Sequence, residues 1–216
     1  MHALSARLAL LAAILSGPLP LAAEGRAGDF DYYVLSLTWS PNWCTLEGDA
    51  TSSPECDGSR DLGWTLHGLW PEYDSGGWPQ DCLSPWPAPS RRLTGEMADI
   101  MGSGGLAWYQ WRKHGACAGL PAGDYFAQAR AAHDMIVKPP LLDALERDVR
   151  LPARLIEEAF LDANPQLSPQ GITVTCRAGM IQEVRICLTP DLEPRDCAPD
   201  AARDCTLGDA LFQPIR

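Results

Sequence analysis

Apolar residues cluster along this chain in a few short runs, and the spacing inside each run assigns it an element. Residues 30–41, FDYYVLSLTWSP, mix aromatic and β-branched side chains and close on a proline, the signature of a buried strand. Residues 63–73, GWTLHGLWPEY, are equally aromatic and run into Pro71, which predicts a strand passing into a loop. Residues 172–189, ITVTCRAGMIQEVRICLT, predict two strands about a turn at Gly179. In the second strand Ile181, Glu183, Arg185 and Cys187 fall on one side and Gln182, Val184, Ile186 and Leu188 on the other. Helices are predicted over 91–101, 105–114, 123–136, 138–148 and 152–163, with Pro152 suited to a first turn. The stretches 45–61, 74–90 and 190–216 are rich in Gly, Ser, Pro or Asp and read as loops. Helices and strands without a βαβ rhythm, repeats or an internal linker predict a single α+β domain.

Ahead of these runs, MHALSARLALLAAILSGPLPLAA opens with His2 and Arg7 and continues as an apolar stretch broken by Gly17, Pro18 and Pro20. It reads as a secretory signal peptide, being too short and interrupted for a membrane span. Cleavage is expected after Ala23, Gly25 or Ala27, which makes residues 1–27 the signal and 28–216 the domain. No second long apolar run follows, so the expectation is an exported, periplasmic or secreted monomer without membrane association. The cysteines Cys44, Cys56, Cys82, Cys117, Cys176, Cys187, Cys197 and Cys205 agree, because an even number in an exported chain favours disulfides. No C-x-x-C pair or ligand-spaced histidine points to zinc, and no metal or other cofactor is expected. A formal net charge of −11 excludes gripping a long polyanion by bulk charge. It leaves room for a small positive site focused within a negative body.

YQWRKHGAC, residues 109–117, is the candidate, since Arg112, Lys113 and His114 stand there in a row. With His2 in the signal, three histidines remain. His133 lies among alanines in YFAQARAAHDMI and reads as a surface helix residue. His67 and His114 differ: each precedes a glycine and has tryptophans around it. Taken together, TLHGLWPEY (65–73) and QWRKHGAC (110–117) resemble the two active-site segments of the ribonuclease T2 family. The first matches the family's H-G-L-W-P. The second is similar to its H-E-W-x-K-H-G-T-C, with Trp111, Lys113, His114, Gly115 and Cys117 in place. LSLTWSPNWC (35–44) resembles the family's first central strand, so the resemblance covers most of residues 30–120.

The resemblance implies a central antiparallel sheet flanked by helices and stapled by disulfides. It implies endonucleolytic cleavage of single-stranded RNA, with low base specificity, through 2′,3′-cyclic phosphates to 3′-phosphate ends. RNA brings its own nucleophile, the 2′-hydroxyl, so one base and one acid suffice, and imidazole suits both roles near neutral pH. By family analogy His114 is the base and His67 the acid, although the sequence itself leaves the two interchangeable. Lys113 would stabilise charge on the phosphoryl oxygens. Trp70, Glu72 and Trp78 would form one base site by stacking and hydrogen bonding. Trp39, Pro41 and Trp43 would shape a second, with core packing an equal reading for Trp39. Tyr109 and Trp111 would also meet substrate, and Arg112, Arg91 and Arg92 would meet flanking phosphates unless they are simply solvated. The implied disulfides are Cys82–Cys117, Cys44–Cys56, and Cys176–Cys205 around Cys187–Cys197.

Three positions depart from the family pattern: Tyr109 for His, Gln110 for Glu and Ala116 for Thr. Gln110 can donate to a phosphoryl oxygen but cannot relay a proton, which predicts a working, slower enzyme. The competing readings are a relative with weakened chemistry, acting as an exported RNA-binding or protein-interaction module, and a disulfide-rich structural protein.

Overall fold

The computed structural model describes residues 25–216. Apart from residues 25–27, the expected signal segment lies outside the described residues. The first aromatic run forms β1 (Tyr32–Trp39), buried along its whole length. Alternation divides it between two faces. Tyr33, Leu35, Leu37 and Trp39 enter the main core, while Tyr32 and Val34 join Trp70, Cys187 and Ala198 on the opposite face. β2 (Trp64–Glu72) and β5 (Met180–Leu188) flank β1 antiparallel. β4 (Ile172–Arg177) pairs with the other edge of β5 as the expected hairpin.

Two strands of three residues each were not expected: β3 (Val149–Leu151) and β6 (Ala210–Phe212), which pair antiparallel. β6 meets β5 in the parallel sense at Leu211 and Met180. The sheet therefore runs β2-β1-β5-β6-β3, with β4 beside β5, and is antiparallel in every pairing but one.

The helices are α1 (Ser40–Trp43), α2 (Arg91–Gly95), α3 (Ala98–Met101), α4 (Gly104–Lys113), α5 (Ala122–Met135), α6 (Pro140–Asp143) and α7 (Arg154–Ala163). The helix expected over 91–101 is broken in two where the chain crosses the start of α4. A Cβ on Gly104 would lie 3.2 Å from the Gly95 Cα, so a glycine at 104 eases that close approach. The helix expected over 138–148 shrinks to α6 because the chain beyond it is drawn out to pair with β6. α4, α5 and α7 cover the main-core face: Phe160 of α7 sits edge-on to Trp64 at 5.2 Å, and Trp39 stacks on Phe212 at 4.3 Å. All four expected disulfides are present. No helix among the described residues is long and apolar enough to cross a membrane.

Candidate active site

The face of the sheet turned away from the main core carries the candidate chemistry, and a register slip creates it. Ser36 of β1 opposes Gly68 of β2, yet Leu37 opposes Leu66, which leaves His67 as the extra residue of a bulge. Leu66 and Leu69, three apart, thus both reach the core, while His67 and Trp70 line a cavity on the other side. β5 supplies their neighbours on that face: Arg185 opposite Ser36 and Glu183 opposite Thr38. Glu183 Oε1 lies 2.5 Å from His67 Nδ1, and Oε2 accepts from Arg185 Nε and Nη2 at 2.9 and 2.7 Å. Burial pushes the Glu183 carboxyl up, but the hydrogen bond and charge of His67, together with Arg185, outweigh it and bring it down to about 2. An ionised carboxylate only accepts, so His67 Nδ1 carries a proton and Nε2 is the free atom.

The second histidine arrives at the end of α4. Ser103 caps this helix, its Oγ accepting from Leu106 N–H at 3.1 Å. His114 leaves the helix for a tighter turn, Gly115–Ala118, while its N–H still donates to the Gln110 carbonyl at 2.9 Å. Gln110 is 2% exposed and its Oε1 accepts from Trp70 Nε1 at 2.8 Å. An indole can only donate, so this bond fixes the amide orientation and leaves the Gln110 NH₂ as the free donor. The Trp70 ring stands near both histidines, with centroids 5.1 Å from His67 and 5.3 Å from His114. This packing dictates Gly68, where a Cβ would run into the Trp70 indole and come within 2.8 Å of Gln110 Oε1. Gly115 is dictated likewise, by the Tyr125 ring at 2.5 Å. The Tyr125 hydroxyl donates to the Leu69 carbonyl at 2.9 Å and so ties α5 to β2 beside both histidines. Cys82–Cys117 and the bond from Asp81 N–H to the Lys113 carbonyl (2.8 Å) hold the loop after β2 against the end of α4.

These side chains enclose a cavity of about 400 Å³, into which His67, His114, Lys113, Gln110, Tyr109, Trp70, Glu72 and Trp78 all face. His114 is buried, and this, reinforced by Lys113 and then His67, lowers its pKa to about 3. Glu72 moves the other way: burial, then the nearby Asp200, raise it to about 8 against the opposing pull of Arg185. Among the described residues, Cys44, Asp49 and Cys56 lie close enough to suggest a metal site, but both sulfurs are committed to a disulfide.

Trp111 and Pro41 are corrected from substrate contact to packing, and Trp39 takes the core-packing one of its two readings. Trp39 is a core residue, fully buried on the far face with its indole N–H on the Gln213 carbonyl, because it shares the parity of Leu35 and Leu37. Trp111 likewise packs into the main core, one helical turn from buried Ala107. Pro41 is buried in α1 against a separate crevice beside Cys44–Cys56. Trp43 lines a second cleft, of about 160 Å³, that shares His67 and Glu183 with the first. His133 is half-buried on α5, its Nδ1 2.8 Å from Asp134. Arg112 lies over the Trp108 and Tyr109 rings, Arg92 pairs with Glu96, and Arg91 is exposed. The cavity also contains residues that sequence reasoning left out: Val34, Arg185, Asp200 and Ala201, with Glu183 behind them. Two charged residues inside the apolar strand MIQEVRICL were the available signal for Glu183 and Arg185; nothing in the sequence singles out Asp200.

The Ribonuclease T2 family model matches residues 30–197. A ribonuclease of Aeromonas hydrophila is 40% identical over 103 residues, 48% of this chain and 45% of that protein. A probable ribonuclease of Haemophilus influenzae is 32% identical over 120 residues, 50% of this chain and 44% of that one. The chain thus spans about half the length of these curated relatives. Among solved structures, trichomaglin, described as an S-like ribonuclease, superposes with a TM-score of 0.63 at 20% identity, covering 87% of this chain and 100% of the other. At that identity the likeness speaks for the fold.

Proposed function

The chain belongs to the ribonuclease T2 family, and we propose that it is an exported endoribonuclease that cleaves single-stranded RNA by attack of the 2′-hydroxyl on the adjacent phosphate. The observation that carries this is the meeting of His67 and His114, from separate parts of the chain, in one cavity beside Lys113. A phosphate seated between them has a base on one side and an acid on the other. His114, kept neutral by burial, takes the 2′ proton as the 2′ oxygen bonds to phosphorus. His67 offers Nε2–H to the departing 5′ oxygen as the P–O5′ bond breaks. The product is a 2′,3′-cyclic phosphate, and exchange of the two roles lets water open it to a 3′-phosphate. Lys113 and the free NH₂ of Gln110 meet the charge that gathers on the non-bridging oxygens. Losing one such donor commonly costs on the order of 10²–10³ in rate, far less than losing the base or the acid. Gln110 in place of Glu keeps a donor at this position but cannot relay a proton, so a slower enzyme, not a dead one, is expected.

Trp70 and Trp78 offer faces for stacking a base in the same cavity. Glu72, with a pKa of about 8, carries its proton at neutral pH and can both donate to and accept from a base edge. Trp43, at the second cleft, is a candidate for the neighbouring base. Four disulfides favour an oxidising destination and thus export.

The experiment is incubation of purified protein with total RNA in the presence of EDTA, followed by analysis of fragment ends. Fragments ending in 2′,3′-cyclic phosphate are expected. RNA that stays intact but is retarded on a gel would sink the enzyme and support a binding module.

A further inference from the structure

We infer that Glu183, braced by Arg185, is the positioning residue that makes His67 the acid of the pair. This rests on the ribonuclease reading above and deepens it. The two imidazoles share a cavity but not an environment. His114 Nδ1 is buried without a hydrogen-bond partner among the described residues. His67 Nδ1 is bonded to a carboxylate that is 1% exposed and held on its other oxygen by two Arg185 N–H groups. That bond fixes the His67 tautomer and aims Nε2 into the cavity.

The other charged groups around the ring do not do this. Lys113 and His114 face it from the end of α4, and Glu72 lines the cavity from β2 itself. Glu47, Glu55 and Arg177 lie across the second cleft. Of the carboxylates among them, Glu55 is committed to Ser40 and Thr65, at 2.6 and 3.0 Å. Glu183 alone of the described carboxylates is bonded to the His67 ring. It stands on a strand paired on both sides, with ladder partners Thr38 on one side and Thr175 on the other. A side chain so placed holds its geometry better than one on a loop.

The role is tested by changing how much acid the reaction needs. A dinucleoside phosphate leaves through a 5′ alkoxide, which must be protonated. A 4-nitrophenyl ester of a nucleoside 3′-phosphate leaves as a stable phenolate, which needs no proton. Glu183→Gln should lower kcat/KM on the dinucleotide by about 10–100-fold, the range that loss of an orienting partner behind a functional histidine costs. On the nitrophenyl ester it should lower kcat/KM by no more than about threefold. His67→Ala should show the same selectivity, and His114→Ala should lose both substrates. Equal losses on the two substrates, or none on either, would overturn the inference. If Glu183→Gln does not fold, as judged by circular dichroism, Arg185→Gln carries the test: a smaller loss confined to the dinucleotide supports the role, and any other pattern overturns it. A wild-type protein inactive on both substrates would remove the ribonuclease reading itself, an outcome distinct from failure of the Glu183 role.

Discussion

Gln110→Glu is the perturbation that bears most directly on how this site differs from its family's pattern. In the wild type, burial, Lys113 and His67 hold His114 at a pKa of about 3, and the group one helical turn before it is an uncharged amide. His114 then stays available as a base far into acid solution, so the acid limb of the kcat/KM profile is expected near pH 3–4 rather than at the ordinary imidazole value of about 6.5. A carboxylate at position 110 would keep the acceptor for Trp70 Nε1, now at 2.8 Å, and add a negative charge beside the His114 ring. At a separation on the order of 5 Å and an effective dielectric constant of about 20, the attraction to imidazolium is about 3 kcal/mol, or about two pH units. The cost of burying the new charge trims this to about one to two units.

The sign follows from the protonated form. A nearby anion favours imidazolium, so His114 is lost as a base at higher pH than before. Gln110→Glu should therefore move the acid limb upward by about one to two units and lower activity at pH 4 by about 2- to 10-fold relative to its plateau. The assay is kcat/KM on a dinucleoside phosphate between pH 3 and 8, with folding checked at each end. An acid limb that does not move would refute the view that the missing carboxylate governs His114.

Other expectations follow from the same geometry. His67→Ala and His114→Ala should each lower kcat/KM on RNA by about 10²–10⁴, measured by release of acid-soluble fragments; near-wild-type activity in either variant would move the site elsewhere. Gly68→Ala should cost about 1–3 kcal/mol in chemical denaturation, since its Cβ would push the Trp70 indole from Gln110, and activity should fall with it. Glu72 binds its proton more tightly folded than unfolded, so its contribution to stability is present below about pH 4.5 and lost as pH rises towards 8. Glu72→Gln should flatten that decline, read as melting temperature against pH, and an unchanged slope would contradict the buried carboxyl.

How far the sequence reached depends on the distance over which each feature is encoded. The two histidines were legible because each lies in a short motif that also contains what positions it: Gly68 and Trp70 after His67, Gln110 and Gly115 around His114. For Trp39, where core packing stood as an equal reading, alternation alone decides, because in YYVLSLTW it shares the parity of Leu35 and Leu37. Trp111 offered a similar cue, one turn from Ala107. The partner of His67 was not legible in that way. Glu183 lies 116 residues downstream, and only the β1–β5 register, together with the one-residue bulge at His67, brings the two together. β3 and β6 were missed because three residues are too few to show a period, and their pairing joins distant parts of the chain.

The net charge of −11 raises a harder question, since an acidic body must hold a phosphate. At three positions a carboxyl group that could repel it is disarmed, each by different physics. At position 110 the carboxyl is replaced by an amide whose oxygen is turned to Trp70 and whose NH₂ is left free. Glu72 keeps its proton at neutral pH because burial and Asp200 raise it to about 8. Glu183 stays ionised, but its two oxygens are taken up by His67 and Arg185, so its charge is met before it reaches the cavity. What remains facing the phosphate is Lys113 and the two imidazoles, with Arg185 at the wall and Asp200 the carboxylate of the lining that is met, among the described residues, only by the Gly77 N–H, at 2.7 Å. Anion binding here depends on the local state of a few buried groups, and the chain's overall acidity does not oppose it at this range.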